Sequence, residues 1–496
     1  MVIQIQAKYL KHFDSENAFG IDLGSQKSVI CAGLNSYLSN AVISKENKNF
    51  LSCALNLDHC RSTQTRILLD GTERSVGAQV EGRKDALYGF KSLLGCFRRN
   101  NALIGDNKNQ FEHSSYTAKY GREGKSNFSS EQIAAMYLRK ILYGIKFPGD
   151  IPPEFANAPQ ESDMSIQFDK PPSIVLSVPT FWKQSQREAL LTAAKVAEID
   201  VLSLVHDTTA AAVCFACTRL PPNAGLRTPY QLIIADFGSQ GLQISIFRIA
   251  KTLHGLTITA LAHSWSCNVG GDNIDHIVAA YLTQKLSLQY KQQSHRFVPD
   301  QNQNQDNNNN NTKQLNDEVQ KSQIRLIKAA ERVKRTLSGV PAINESFELL
   351  PDFDVQLQMT REELEKLING IDLEIKNTVE SALMQALDKN SIELVGAQSR
   401  MPFLQRSLEI AINDQLSKLS IQQSPESAHP KLILSHQLNT DESVSWGCAK
   451  LAQLQAKTVS ANQTRIYNST IPLPADRARA DAELNAILSM TAKDQV

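Results

Sequence analysis

The sequence predicts an α/β protein in which one strand–turn–strand unit occurs twice and a phosphate-bearing ligand lies between the copies. Three observations predict it. Residues 18–33 read AFGIDLGSQKSVICAG and residues 230–249 read YQLIIADFGSQGLQISIFRI; an apolar run, an Asp, an apolar residue and Gly-Ser-Gln recur 214 positions apart, at Asp22 and Asp236. Between the copies, strand-like and helix-like patterns alternate at the spacing of α/β layering. The Gly after each acid lets backbone amides approach a phosphate, and the Asp at the strand end can hold the water shell of Mg²⁺. Two ordinary hairpins with Asp-x-Gly turns would give the same strings, so other segments must decide.

The elements follow in order. Residues 18–33 are dense in β-branched and apolar side chains and read as strand, tight turn, strand. Ser129 and Gln132 form a capping-box pattern that starts a helix over 129–145. SIVLSVP is a buried strand ending at Pro179, SQREALLTAAKVAEI a helix, DVLSLVH a strand and DTTAAAVCFACT a helix. LIIADFGSQ opens the second copy, and ISIFRI and LTITALAHSWS continue it as an antiparallel meander. GGDNIDHIVAAYL is a Gly turn into a helix. Residues 291–323 hold the run DQNQNQDNNNNN, which cannot bury apolar area; this tract reads as a disordered insertion, with 296–322 dispensable for folding. In the amphipathic helix after it, Leu326, Ala330, Val333 and Leu337 share a face. Thr360 and Glu363 form a second capping box. IELVGAQSRMP reads as strand, turn and helix start, DESVSWGCAKLAQLQ as a last helix, and 457–496 as a loose tail.

Bulk properties narrow the function. Of 496 residues 42% are apolar, enough for a real core, and 52 Lys+Arg against 51 Asp+Glu leave a net charge of +1. That balance argues against nucleic-acid binding, which needs a basic footprint. No window approaches eighteen apolar residues, which argues against a membrane span, and the N-terminus lacks the order of a signal peptide. Cys214 and Cys217 make the only C-x-x-C, inside an Ala-rich helix; without a second pair they read as structural, and free thiols fit a reducing cytosol.

The helix over 324–338 adds a polar stripe. Glu331, Lys334, Arg335 and Ser338 are spaced i, i+3, i+4, i+7 and share one face. They could hold ribose hydroxyls and frame an adenine ring; a solvated face explains them equally well.

Taken in order, GIDLGSQKS, SVPTFWKQSQREALLTAAKVAEI, HDTTAAAV, ADFGSQGLQISIF, VGGDNID, ERVKRTLS, TREELE, VGAQSRMP and DESVSWGCA resemble the nucleotide-binding domain of the seventy-kilodalton heat-shock chaperones, over residues 18 to about 455. The resemblance implies the actin-like ATPase fold: two lobes built on ribonuclease-H-like sheets, with ATP or ADP and Mg²⁺ in the cleft. It implies an N-terminal extension at 1–17, lobe I at 18–228, lobe II at 229–436 with the insertion inside it, a closing helix at 437–456 and a tail too short for a peptide-binding domain. By position it assigns Asp22 and Asp236 to the metal's water shell, Lys91 to the terminal phosphate and Asp207 to the catalytic loop. Gly24, Ser25, Gln26, Gly238, Ser239, Gln240, Gly270 and Gly271 fall to the phosphates, and Glu331, Lys334, Arg335, Ser338, Gly396 and Arg400 to the adenosine.

Departures from the family pattern are as informative. Asp207 stands where a Glu is usual, Gln243 where an Asp is usual, Gly241 where a Thr is usual and Ala397 where a Gly is usual. Phosphoryl transfer depends on placed charges, so the expectation is retained ATP binding with slow hydrolysis. The divergent loops point to the 110-kilodalton or the short ribosome-associated branches. The expected role is an atypical cytoplasmic chaperone or co-chaperone working with other heat-shock chaperones or J-domain proteins. The main alternative is a non-hydrolysing, nucleotide-stabilised module that acts on another chaperone. A small-molecule kinase or an actin-like polymer share the superfold but gain no support from these motifs.

Overall fold

A strand followed by an Asp-x-Gly turn folds back on itself, and this chain does so twice. The computed structural model describes residues 2–6, 18–33, 51–56, 58–71, 73–80, 83, 85–95, 97–99, 111–113, 115–119, 125–144, 173–252, 255–298, 310–384, 391–395, 397–423 and 434–462. In the first sheet, β2 (Ala18–Leu23) and β3 (Lys27–Gly33) form an antiparallel hairpin, which β4 (Leu51–Cys53) and β5 (Ser62–Gln64) extend. β6 (Ser173–Val178) pairs parallel to β2, and β7 (Asp200–His206) parallel to β6. Parallel neighbours need a crossover, and the helix Gln184–Val196 supplies it.

The second sheet repeats this plan. β8 (Tyr230–Phe237), β9 (Leu242–Thr252) and β10 (Gly255–Ser266) form the antiparallel meander, β13 (Ser391–Val395) runs parallel to β8, and β14 (Leu434–Ser435) parallel to β13. Between them, β11 (Ala342–Leu350) and β12 (Phe353–Thr360) make a hairpin. Asp22 on β2 and Asp236 on β8 therefore hold equivalent places. The helices, in chain order, are α1 (Phe90–Leu93), α2 (Ser130–Tyr143), the crossover α3 (Gln184–Val196), α4 (Asp207–Thr218), α5 (Gly271–Gln289), α6 (Asn310–Gly339), α7 (Arg361–Leu367), α8 (Ile371–Leu383), α9 (Pro402–Gln423) and α10 (Ser443–Asn462). Both capping boxes form: the Gln132 amide donates to Ser129 Oγ at 3.3 Å and the Glu363 amide to Thr360 Oγ1 at 3.2 Å.

One apolar core surrounds the first sheet and one the second; a third joins them through α4 and α10, with Ala210, Phe215, Ile234, Leu451 and Val205 among its members. The helices touch at Gly447, where a Cβ would lie 1.9 Å from the Ala210 carbonyl oxygen; Gly20 on β2 meets α10 as closely, at 2.0 Å from the Ala449 nitrogen. Only glycine allows backbones this near. Among the described residues no helix is long and apolar enough to cross a membrane.

Three expectations need correction. The N-terminal segment is not an appendage in its described part: β1 (Val2–Gln6) pairs antiparallel with β10, from Val2 opposite Thr259 to Gln6 opposite Gly255. Ile3 and Ile5 are buried while Gln4 is exposed, the alternation that a half-covered strand requires. The tract 291–323 is ordered where described. Phe297 is fully buried and stacks on Phe353 with ring centres 6.1 Å apart; Gln323 Nε2 donates to the Phe297 carbonyl at 2.6 Å; and Arg296 pairs with Glu318 at 2.9 Å. The tract's composition is mostly polar, but a single aromatic anchor and contacts with α6 hold its flanks. Residues 299–309 lie outside the described set. Phe297→Leu is expected to cost about 1 kcal/mol or more, where a side chain in a solvated tract would stay within about 0.5; urea denaturation checks it. The cysteines are not all free either: Cys31 and Cys53, directly opposite on β3 and β4, form a disulfide, while Cys60, Cys214, Cys217, Cys267 and Cys448 are free among the described residues.

Candidate active site

The ends of β2 and β8 and the start of α4 bring three carboxylates to one floor between the sheets. Asp22 accepts from Ser177 Oγ at 3.1 Å. Asp207, in the first turn of α4, and Asp236 are buried. Burial raises the Asp22 and Asp236 carboxyls well above the ordinary carboxylate range, and the Asp207 charge raises both further; Lys91 pulls both back down. Lys91 is itself buried on α1, its ammonium 5.5 Å from the centre of the Trp182 ring.

These shifts carry a sign. The folded chain keeps protons on Asp22 and Asp236 at pH values where the unfolded chain has lost them. Stability therefore falls as pH rises from the usual carboxyl range, about 4, through the folded value of about 8 for Asp236. Thermal melts of nucleotide-free protein are expected to show the midpoint declining across that window. In Asp22→Asn/Asp236→Asn the slope flattens.

Gln243 occupies the centre of the floor. It stands directly across from Asp236 in the β8–β9 register. Its Nε2 donates to Asp207 Oδ2 and to Asp236 Oδ2, both at 3.1 Å. Its Oε1 accepts from the Thr180 amide at 2.6 Å and from Thr180 Oγ1 at 2.9 Å. The two turns also touch the opposite sheet's elements. Gln26 Nε2 donates to Asp272 on α5 at 3.0 Å, and Gln240 Nε2 to Ser92 Oγ on α1. Gly24 accepts Thr65 Oγ1 at 2.7 Å, and Ser25 is partly exposed beside it.

Gly270 and Gly271 brace the second turn and offer no free amide to a phosphate. The Gly271 and Asp272 amides donate to the carbonyls of Gly238 and Ser239 at 3.1 and 2.9 Å, and the Gly270 amide donates to Asn273. A Cβ on Gly270 would fall 2.3 Å from the Ser239 carbonyl oxygen, and one on Gly241 2.5 Å from that of Ser266. A threonine at 241 therefore cannot be restored without moving backbone.

The polar stripe on α6 splits. Lys334 is buried and pairs with Asp275 at 2.7 Å while donating to the Gly271 carbonyl at 3.0 Å, so it anchors α6 to α5. Burial lifts the Asp275 carboxyl to about 6, with Lys334 opposing. Glu331 and Arg335 are exposed and 4.0 Å apart, and Ser338 Oγ donates to the Lys334 carbonyl. Arg400 reaches Thr440 Oγ1 and Asp441 Oδ2, each at 2.6 Å. Gly396 lies outside the described residues. Ser177 and Thr180 were findable from the sequence, because SVPT spans the end of β6, the strand beside β2. Asp275 and Asp441 gave no signal, since their pairing is purely tertiary.

The floor fits a hydrated cation. Asp207 Oδ1 is buried with no hydrogen-bond partner, an acceptor suited to a water molecule. Among the described residues no three His, Cys, Asp or Glu side chains converge as direct metal ligands, and Mg²⁺ characteristically keeps several waters.

Two sheets of one plan, each ending an acidic hairpin turn at a shared buried floor, define a protein of the actin-like ATPase fold. The chain belongs to the Hsp70 family: the family model described as Hsp70 protein matches residues 18–466. It is similar to the heat shock protein homolog Sse1 of Lachancea kluyveri, with 24% identity over 89% of this chain and 55% of that protein. It is also similar to the heat shock protein hsp88 of Neurospora crassa, with 24% identity over 87% of this chain and 52% of the relative. Human heat shock 70 kDa protein 4L shares 23% identity over 87% of this chain and 44% of its own length. These relatives agree with the 110-kilodalton branch. The chain spans about half the length of the curated relatives it matches.

Proposed function

We propose that this chain binds Mg·ATP between its lobes and acts in protein folding as an atypical Hsp70-family chaperone or co-chaperone with slow ATP hydrolysis. The observation that carries the reading is the convergence of Asp22, Asp207 and Asp236 on one buried floor beside Lys91. Asp22 and Asp236 hold the water shell of Mg²⁺, which supplies charge neutralisation at the phosphates. Lys91 meets the terminal phosphate, and Asp207 Oδ1 orients a water. Gly24, Ser25, Gln26, Gly238, Ser239 and Gln240 line the phosphate path. Glu331, Arg335 and Ser338 on α6, with Gly396 and Arg400, flank the adenosine, and Lys334 supports α6 from beneath. Lobe I is 18–228 and lobe II 229–436, with β1 belonging to the second sheet. Partners are other heat-shock chaperones or J-domain proteins, ribosome-bound ones included, in the cytoplasm.

One observation favours a second reading, a non-hydrolysing module in which nucleotide stiffens the lobes for exchange on another chaperone: Gln243 ties up both Asp207 and Asp236. Isothermal calorimetry of ATP with Mg²⁺ or with EDTA, beside a single-turnover assay, separates the readings. Binding that needs Mg²⁺ and is weakened by Asp22→Asn, with slow turnover, is the expected result. Binding without turnover selects the second reading, and absence of any binding sinks both. Glu331→Ala/Arg335→Ala is expected to weaken ATP binding at unchanged stability, since both side chains are exposed.

A further inference from the structure

The Gln243 side chain uses its full hydrogen-bonding capacity. A primary amide has two N–H donors and two lone pairs on oxygen. Here the donors go to Asp207 and Asp236, and the lone pairs take the amide and hydroxyl of Thr180. Flipping the amide would set an N–H group against the Thr180 amide, which can only donate, so only the observed orientation satisfies all four contacts. The contacts join both lobes: Thr180 and Asp207 follow strands of the first sheet, Asp236 and Gln243 lie in the second.

Two buried carboxyl groups that face one another need a proton, positive charge or hydrogen-bond donors between them. Side-chain lengths show how this chain meets the need. Glutamine is longer than aspartate, and Asp207 is one methylene shorter than glutamate, so the longer amide fills the space that the shorter acid leaves. We propose that Gln243 is a positioning residue that takes the place of a cation between Asp207 and Asp236, so that the residue at 243 decides whether a cation binds at this point of the floor. The inference deepens the nucleotide-site reading and rests on its assignment of these two carboxylates.

The test uses nucleotide-free full chain with Mg²⁺, Mn²⁺ or K⁺ alone as probes and the thermal midpoint as readout. The wild-type midpoint is expected to stay put with each ion. Gln243→Glu, of the same shape but with a third carboxylate, is expected to melt several degrees lower in EDTA and to recover with metal. Gln243→Glu/Asp207→Asn returns an amide to the cluster from the other side, so it is expected to regain stability and lose the metal response, a rescue that a merely structural role for Gln243 would not produce. If Gln243→Glu folds only with metal, the inference is supported; if it folds under neither condition, the double variant decides, and failure of that variant overturns the inference. A wild-type protein stabilised by metal as much as the variant, or a variant indifferent to metal, also overturns it. Calorimetry of wild type with Mg·ATP keeps the two readings apart. ATP binding with an indifferent variant removes only this inference, whereas no ATP binding with a metal-responsive variant removes only the nucleotide reading.

Discussion

Lys334→Ala is expected to lower the unfolding free energy by about 3–5 kcal/mol, the range for stripping one partner from a buried ion pair. Lys334 is 2% exposed, pairs with Asp275 at 2.7 Å and caps the Gly271 carbonyl, so its removal strands a charge and a carbonyl in the interior. Most of the cost is the desolvated Asp275 left alone, not the worth of the pair. Lys334→Met/Asp275→Leu is therefore expected to recover most of the loss. Urea denaturation of the three proteins measures it; a Lys334→Ala midpoint within error of wild type would return Lys334 to the ligand-binding stripe. The same geometry removes Lys334→Ala as a clean probe of ATP binding. A protein that loses affinity because α6 has come away from α5 says nothing about adenosine.

Single-turnover ATP hydrolysis is expected to be slow in the wild-type chain and to rise at least about tenfold, worth 1.36 kcal/mol of barrier, in Asp207→Glu/Gln243→Asp with Mg²⁺. One misplaced polar group at a reacting centre typically costs about 2.7–4 kcal/mol, or 10²–10³ in rate. Gln243 holds Asp207 Oδ2 at 3.1 Å, which leaves only Oδ1 to meet a water. The two changes are coupled because the side chains touch. Asp207→Glu alone drives a longer acid into the Gln243 amide, and Gln243→Asp alone opens a gap beside three carboxylates. Each single variant is expected to gain less than the pair. Gly241 stays as it is, since a side chain there would strike the Ser266 carbonyl. Lys91→Ala in the double variant is expected to abolish the gain. Wild-type turnover already as fast as the double variant would make this a working chaperone motor.

The sequence alone determined what is local or repeated. Asp22 and Asp236 were legible as equivalents because a strand end, an acid and a glycine turn are contiguous in the chain; the equivalent topology of the two sheets bears that out. The capping boxes at Ser129 and Thr360 and the apolar face of Leu326, Ala330, Val333 and Leu337 were legible for the same reason: period and short-range hydrogen bonding are written within a few residues. Only tertiary structure decided the rest. Glu331, Lys334, Arg335 and Ser338 share a helix face by spacing, but which of them is buried depends on Asp275, 59 positions earlier. Gln243 read as the loss of a charge, and its role as a bridge exists only once Asp207, Asp236 and Thr180 are folded around it. Phe297 vanished in a polar tract until Phe353 stacked on it, and residues 2–6 became a strand only because β10 offered an edge. The physical reason is common to all four. Burial energy belongs to pairs and clusters brought together over long stretches of chain, and a sequence displays only one member of each pair at a time.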